Sequence, residues 1–249
     1  MPNIKLILEY DGTNYHGWQS QAGSGRPTIQ ETLEQAITAL TSEQVTTHSS
    51  GRTDSGVHAR GHVANFLTET QIPAHAWTPA LNHLLPPDIR IVSSEEVGPS
   101  FHARFSATGK RYKYCILNRL APSALDRNRA WHINRKLNIR AMKRAAEFLV
   151  GKHDFSAFRG SGCNARNPVR NLLSLAVKRQ GAFVEILFEA DAFLQYMARN
   201  IAGTLAEVGL GRFGPADVEG MLKSRNRTMA GRTAPAHGLY LMEVFYPAP

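Results

Sequence analysis

The chain has 249 residues, 43% of them hydrophobic, and a formal net charge of +9. That length supports one large domain or two modest ones, with a core that requires neither disulfides nor a structural metal. No apolar run approaches a membrane span, and Met1–Tyr10 makes a poor signal peptide, with Lys5 inside an alternating pattern and no small-residue cleavage site after it, so a soluble, cytoplasmic protein is expected.

The elements follow in chain order. Asn3–Tyr10 alternates, with Ile4, Leu6, Leu8 and Tyr10 on one face, and reads as a strand. Thr28-Ile-Gln-Glu31 is a capping box, and Ile29, Leu33, Ala36, Ile37 and Leu40 recur at helical spacing, which predicts a helix from about Ile29 to Leu40. Val45–Ser50 and His62–Leu67 read as strands around the turn-rich loop Gly51–Gly56. Thr78-Pro79 starts a short helix, with Pro in the first position, that ends before Pro86-Pro87. Arg90–Val97 and Lys110–Leu117 are further strands; in the second, Tyr112, Tyr114 and Ile116 share one face and Arg111 and Lys113 the other. Asn138 caps a helix carrying Ile139, Met142, Ala145, Ala146 and Leu149, stopped by Gly151. Leu172–Lys178 and Phe183–Glu189 form a hairpin around Gln180-Gly181, Ala192–Val208 a long helix, and Leu239–Tyr246 a closing strand. Strands adjacent in sequence pair antiparallel, so the fold class is α+β rather than doubly wound. Two halves are predicted, 1–120 and 121–249, with the basic segment Ala121–Arg135 as the link or a surface loop.

The charge is unevenly placed. Residues 1–100 carry 5 Lys and Arg against 10 acids, whereas Lys110–Arg144 holds eleven basic residues and the single acid Asp126. A basic field of this kind suits a polyanion, and its richness in Arg, which grips phosphate bidentately and stacks on bases, favours nucleic acid over a phospholipid surface. Such binding weakens steeply with salt. The blander alternative is a basic protein with solvated side chains.

Three places can carry chemistry. The loop Gly51–Ala59 puts Arg52 two residues from Asp54, between glycines that permit close approach of another backbone or a ligand; ordinary Asx turns are the alternative. Lys110–Tyr114 interleaves tyrosines with cations, which suits base stacking with phosphate contact, though a half-buried strand explains each tyrosine singly. The helix Ala192–Val208 carries Arg199 beside a core stripe, where a cation is usually snorkelling. The two cysteines, Cys115 and Cys163, form no Cys-x-x-Cys pair and read as reduced thiols; the ten histidines show no metal spacing; and Walker, Rossmann and nucleophile-elbow patterns are missing.

Taken together, several segments resemble the TruA-type transfer RNA pseudouridine synthases. They are Tyr10–Gln19 (YDGTNYHGWQ), Gly51–Ala59 (GRTDSGVHA), Phe101–Ala107, Arg111–Tyr114, His153–Arg159, Phe193–Gly203 and Thr233–Leu241. The resemblance implies a mixed, largely antiparallel sheet flanked by helices, in two similar halves with the catalytic cleft between them. It implies a homodimer that isomerises uridine at positions 38 to 40 of the transfer RNA anticodon arm, with no metal or organic cofactor. Asp54 matches the family's catalytic aspartate, Tyr112 its active-site tyrosine, and Arg52 and Arg199 the basic residues near that aspartate. Ser55 stands where many relatives have Ala, and Asp191 where many have Asn; Asp191 is expected to favour the dipole of the Arg199 helix. Two rivals compete with this reading. A non-catalytic RNA-binding protein leaves the Arg52–Asp54 loop unexplained, and a metal-dependent nuclease wants clustered carboxylates that the chain does not offer.

Overall fold

The computed structural model describes residues 1–20 and 25–247. Among them are ten strands and five α-helices, in two compact units: Met1–Thr108 with the segment from Leu241 on, and Gly109–Tyr240. The pairs β1–β3, β1–β4, β2–β3, β5–β9, β8–β9 and β7–β8 are antiparallel and β5–β6 is parallel, which gives the α+β class that the strand pattern predicts and the mixed, largely antiparallel sheet that the resemblance implies.

In the first unit, β1 (Asn3–Tyr10) lies between β3 (His58–Leu67) and β4 (Ile89–Val97), and β2 (His48–Ser49) pairs with β3. Ile4, Leu6, Leu8 and Tyr10 are buried on one face, as the alternation requires. Helix α1 (Ile29–Thr41) begins at the predicted capping box: Thr28 accepts from Glu31 N, and Glu31 returns the bond to Thr28 N. Helix α2 (Trp77–Leu84) meets the sheet through Trp77, edge-on to Phe66 at 5.1 Å, and through Asn82, whose amide bonds both backbone groups of Ile91 where the β1–β4 register shifts. The end of the chain rejoins this unit through β10 (Leu239–Phe245), where Thr108 N donates to Phe245 O at 2.9 Å.

Two expectations here give way to local hydrogen bonding. The strand Val45–Ser50 shrinks to His48–Ser49, because Thr47 gives its N–H and hydroxyl to Glu34 of α1 instead of to a ladder. Helix α2 starts at Trp77, so Pro79 is its third residue; the Thr78 N–H goes to Ser94 Oγ, and the first turn needs no intrahelical donor from proline.

In the second unit the strand order is β5 (Gly109–Leu117), β9 (Phe183–Ala190), β8 (Val169–Gln180), β7 (Gly151–Asp154), with β6 (Trp131–His132) beside β5. The β8–β9 hairpin turns at Gly181, φ +57°. Asn138 caps α3 (Ile139–Glu147) through Ala141 N, and Gly151 opens β7 at φ +110° four residues past the helix end. Helix α4 (Met197–Gly209) is buried on every side except at Arg199.

That helix starts five residues later than its apolar spacing predicts. Tyr196 sits at φ +62°, which interrupts a right-handed helix, and Gln195 gives its carbonyl to Gly160 N outside the helix. Asp191 therefore lies away from the α4 dipole; it accepts from Asn171 N and Ala192 N and closes the end of the hairpin. Helix α5 (Asp217–Ser224) went unanticipated, although Val218, Met221 and Leu222 carry its periodicity.

Two helical glycines make opposite predictions. A Cβ at Gly203 of α4 would lie 1.7 Å from Arg232 O, whereas one at Gly220 of α5 meets nothing within 4 Å. Denaturant melts should show Gly203→Ala destabilising by about 1–3 kcal/mol or more, and Gly220→Ala stabilising by about 0.5–1 kcal/mol.

Candidate active site

The first-unit candidates sit on the loop between β2 and β3, and this loop is locked from behind. Thr53 is buried: its hydroxyl lies 2.8 Å from the Tyr10 hydroxyl, and its carbonyl accepts from Trp18 N at 3.1 Å. Val57 N closes a turn onto Asp54 O at 3.1 Å. With Thr53 directed inward, its neighbours project outward, Arg52 exposed and Asp54 half-buried.

The partner of this loop is the segment from Tyr10 to Gln19, which must approach backbone to backbone. A Cβ at Gly12 would meet Val57 O at 2.0 Å, and one at Gly17 would meet Thr53 O at 2.5 Å; Gly17 also holds φ +81°. Only glycine satisfies both demands. The segment is fixed in turn by α1, whose first N–H groups reach back to it: Ile29 N to Gly17 O at 3.1 Å and Gln30 N to Trp18 O at 3.0 Å.

Aromatic and histidine side chains fill the space beneath. Trp18 stacks on His62 at 3.9 Å, and Tyr10 lies 3.3 Å from His62 Nδ1. His58, 2% exposed, presents Nδ1 to Gly12 N and to Asp11 Oδ1, each at 3.1 Å. One ring nitrogen cannot accept from an N–H and donate to a carboxylate together; the Gly12 N–H makes Nδ1 the acceptor. Tyr15 donates to Asp88 Oδ1 at 2.6 Å, and burial, then that carboxylate, push its phenol well above the usual range.

The second-unit candidates lie on β5 and α4. Tyr112 is 8% exposed, edge-on to Phe193 at 4.9 Å. Tyr114, two residues on, is a different kind of tyrosine: wholly buried, donating to Pro235 O at 2.8 Å, with desolvation raising its pKa against the charge of Arg199. Arg199 donates from Nε to Ala234 O at 2.8 Å and lays its guanidinium 4.9 Å from the Tyr196 ring centre. Its side chain is thus tied to the strap 231–234 rather than left to snorkel.

That strap is held by the rest of α4. Asn200 donates to Phe158 O at 2.8 Å and accepts from Thr233 Oγ1 at 2.6 Å and Arg227 at 3.0 Å; Thr204 accepts from Gly231 N at 3.0 Å. The basic stretch on β5 is partly spent in the sheet. Arg111 pairs with Glu189 at 2.9 Å and Lys113 with Glu185 at 3.2 Å, whereas Arg129, Arg135, Lys136, Arg140, Lys143 and Arg144 are exposed.

Arg52 and Asp54 thus share one loop, and Tyr112 and Arg199 belong to the second unit. Residue reading gave no role to Thr53, His58 or Asn200, whose hydrogen bonds hold the segments that carry the candidates. The pair of glycines in Tyr10–Gln19 was the available signal for the first two. Removing the Tyr10 hydroxyl isolates this support: Tyr10→Phe should cost about 0.5–1.5 kcal/mol in a chemical melt, and proteolysis should cut the 51–57 loop faster than in the parent protein.

Comparisons with known proteins agree on one relationship. The sequence matches the family model described as tRNA pseudouridine synthase over residues 6–106 and 145–247. It is 50% identical over 246 residues to tRNA pseudouridine synthase A of Acetivibrio thermocellus, covering 99% of this chain and 100% of the relative. The proteins of the same name from Thermoanaerobacter pseudethanolicus and Geotalea uraniireducens are 49% and 48% identical over 246 residues, again covering 99% of this chain and 100% of each relative. No helix among the described residues is long and apolar enough to cross a membrane. The chain belongs to the tRNA pseudouridine synthase family and is an isomerase of uridine in RNA.

Proposed function

We propose that this enzyme converts uridine to pseudouridine at positions 38, 39 and 40 of the anticodon stem-loop of transfer RNA, with Asp54 as the catalytic carboxylate. The observation that carries the reading is the Asp54 loop itself: a half-buried carboxylate next to a backbone locked at Thr53, in a chain about half identical to transfer RNA pseudouridine synthases over its length. The protein acts as a cytoplasmic homodimer and uses no metal or organic cofactor. The half 1–120 supplies the Asp54 loop, and the half 121–249 binds RNA and completes the site.

The reaction breaks the bond from C1′ to uracil N1, turns the base, and forms the bond from C1′ to C5. The proton on C5 is lost and N1 gains one, so the product is an isomer and no energy source is required. The Asp54 carboxylate either attacks C1′, as glycosidase carboxylates do, or removes the C2′ proton to give a glycal. Both routes demand an ionised carboxylate in a partly dry site. Burial opposes that charge and a nearby guanidinium favours it.

The target base must leave its stack, at a cost of a few kcal/mol. Stacking on Tyr112 returns about 1–3 kcal/mol. Arg52, exposed at the loop, fills the vacated space or grips the flipped nucleotide's phosphate. The exposed cations of 129–144 hold the RNA backbone.

Incubation with unmodified transfer RNA, followed by a pseudouridine assay, tests the activity. Asp54→Asn should bind this RNA much as the parent does and form no detectable pseudouridine; substantial product would remove Asp54 from its role. Tyr112→Phe should keep stacking and RNA affinity while single-turnover product formation slows, since the hydroxyl helps move the C5 proton. An unchanged rate would leave Tyr112 with stacking alone.

A further inference from the structure

One cavity in the second unit is not absorbed by these roles. It is open to solvent, with a volume of about 340 Å³, and Arg159, Arg225 and Arg227 line it together with Ser156 and Ser161. Three arginines around one pocket concentrate positive charge there.

The protein answers it only in part. Arg225 pairs with Asp154 at 3.1 Å. Burial alone would push the Asp154 carboxyl up, but hydrogen bonds from Ser156 and the charges of Arg225 and Arg159 bring it below the usual carboxylate range, so it stays ionised. Arg227 is bonded to neutral acceptors, Asn200 Oδ1 at 3.0 Å, Thr233 Oγ1 at 3.1 Å and Gly231 O at 2.9 Å. Among the described residues no carboxylate pairs with Arg227 or Arg159 within 4.0 Å. The cavity therefore carries a positive surplus with hydroxyls beside it, which is the chemistry of a phosphate site.

Its position indicates whose phosphate. Gly160, also on the wall, packs so closely on the Tyr196 ring that a Cβ there would lie 2.5 Å from it, and Arg199 lies on that same ring. The cavity is thus one aromatic ring from a candidate active-site arginine. Arg227 also bonds Asn200, the residue after Arg199, so its guanidinium is held in place before any ligand arrives.

We propose that the Arg159–Arg225–Arg227 cavity seats one backbone phosphate of the transfer RNA substrate. The inference rests on the uridine-isomerising reading above and adds a phosphate contact to it. Arg159 grips the phosphate oxygens, Ser161 donates its hydroxyl, Arg227 forms the fixed cationic floor, and Arg225, paired with Asp154, borders the site.

The test is RNA affinity across a salt series. Arg159→Gln should bind unmodified transfer RNA about tenfold more weakly at low salt. Its slope of log affinity against log salt should be shallower by about 0.7–0.9. Ser161→Asp, at an exposed position that tolerates substitution, should weaken binding in the same direction by placing a carboxylate at the cavity. Lys223→Gln, which removes an exposed cation paired with Glu219, should leave the slope unchanged. A substrate with one uncharged methylphosphonate linkage at the seated position should bind the parent protein about tenfold more weakly and Arg159→Gln no more weakly than the natural RNA does. Parent-like affinity and slope in both Arg159→Gln and Ser161→Asp, with pseudouridine still formed by the parent, would overturn the subsite alone. If inorganic phosphate raises the parent's melting temperature while Arg159→Gln binds RNA like the parent, the site takes free phosphate and the proposal fails. A parent protein that forms no pseudouridine would instead overturn the reading on which the inference rests.

Discussion

The Trp18 N–H reaches the Thr53 carbonyl at 3.1 Å, and the approach that permits this bond leaves no room for a side chain at position 17. Everything proposed for Asp54 depends on that contact. A loop of small and polar residues has little apolar surface to bury, and left alone it samples many backbone states. Here its conformation is imposed by neighbours: the buried Thr53 hydroxyl on Tyr10, the close backbone at Gly12 and Gly17, and the α1 amides that hold the far side of the Tyr10–Gln19 segment. The capping box at Thr28 and Glu31 thus has a consequence beyond helix stability, because the same helix terminus that it orders also supplies donors to Gly17 and Trp18.

The second unit solves the same problem with different parts. Helix α4 is almost wholly buried, so its position is set by packing, and the left-handed Tyr196 decides where it begins. The strap at 231–234 then lies directly on the helix, at Gly203 and Thr204, and returns the Ala234 carbonyl to Arg199. In both units a functional candidate sits on or beside an irregular segment, and glycines allow that segment to touch a rigid element. Such arrangements hold side chains within the tolerance that chemistry requires while leaving them partly exposed.

Features governed by near neighbours in sequence were legible without coordinates. Strand β1, the Thr28 and Asn138 caps and the Gly181 hairpin all follow from periodicity and local hydrogen bonding. Features governed by distant partners were not. Val45–Thr47 reads as strand until Glu34 captures the Thr47 amide, and residues 192–196 read as helix until Gln195 bonds Gly160. The candidate site divides along the same line. Asp54 and Arg52 stand out by residue type and motif, whereas Thr53, His58 and Asn200 look ordinary in sequence and matter through bonds to residues many positions away.

The basic composition needs the same discrimination. Charge counted along the chain treats Arg111 and Lys113 as part of an RNA-binding field, yet both are paired across to β9, where Glu189 and Glu185 fix strand pairing. Arg232 and Arg212 converge on the buried Glu207, with Arg212 held at 2.5 Å, and serve the α4 terminus. A cation already paired with a carboxylate releases few counterions when a phosphate approaches, because its charge is largely compensated beforehand. Arg159 and Arg227, neither of which has such a partner among the described residues, are better placed to respond to RNA despite lying outside the densest basic run. The electrostatic footprint of this enzyme is therefore set by which arginines lack carboxylates, a property of the folded chain that residue counts along the sequence do not contain.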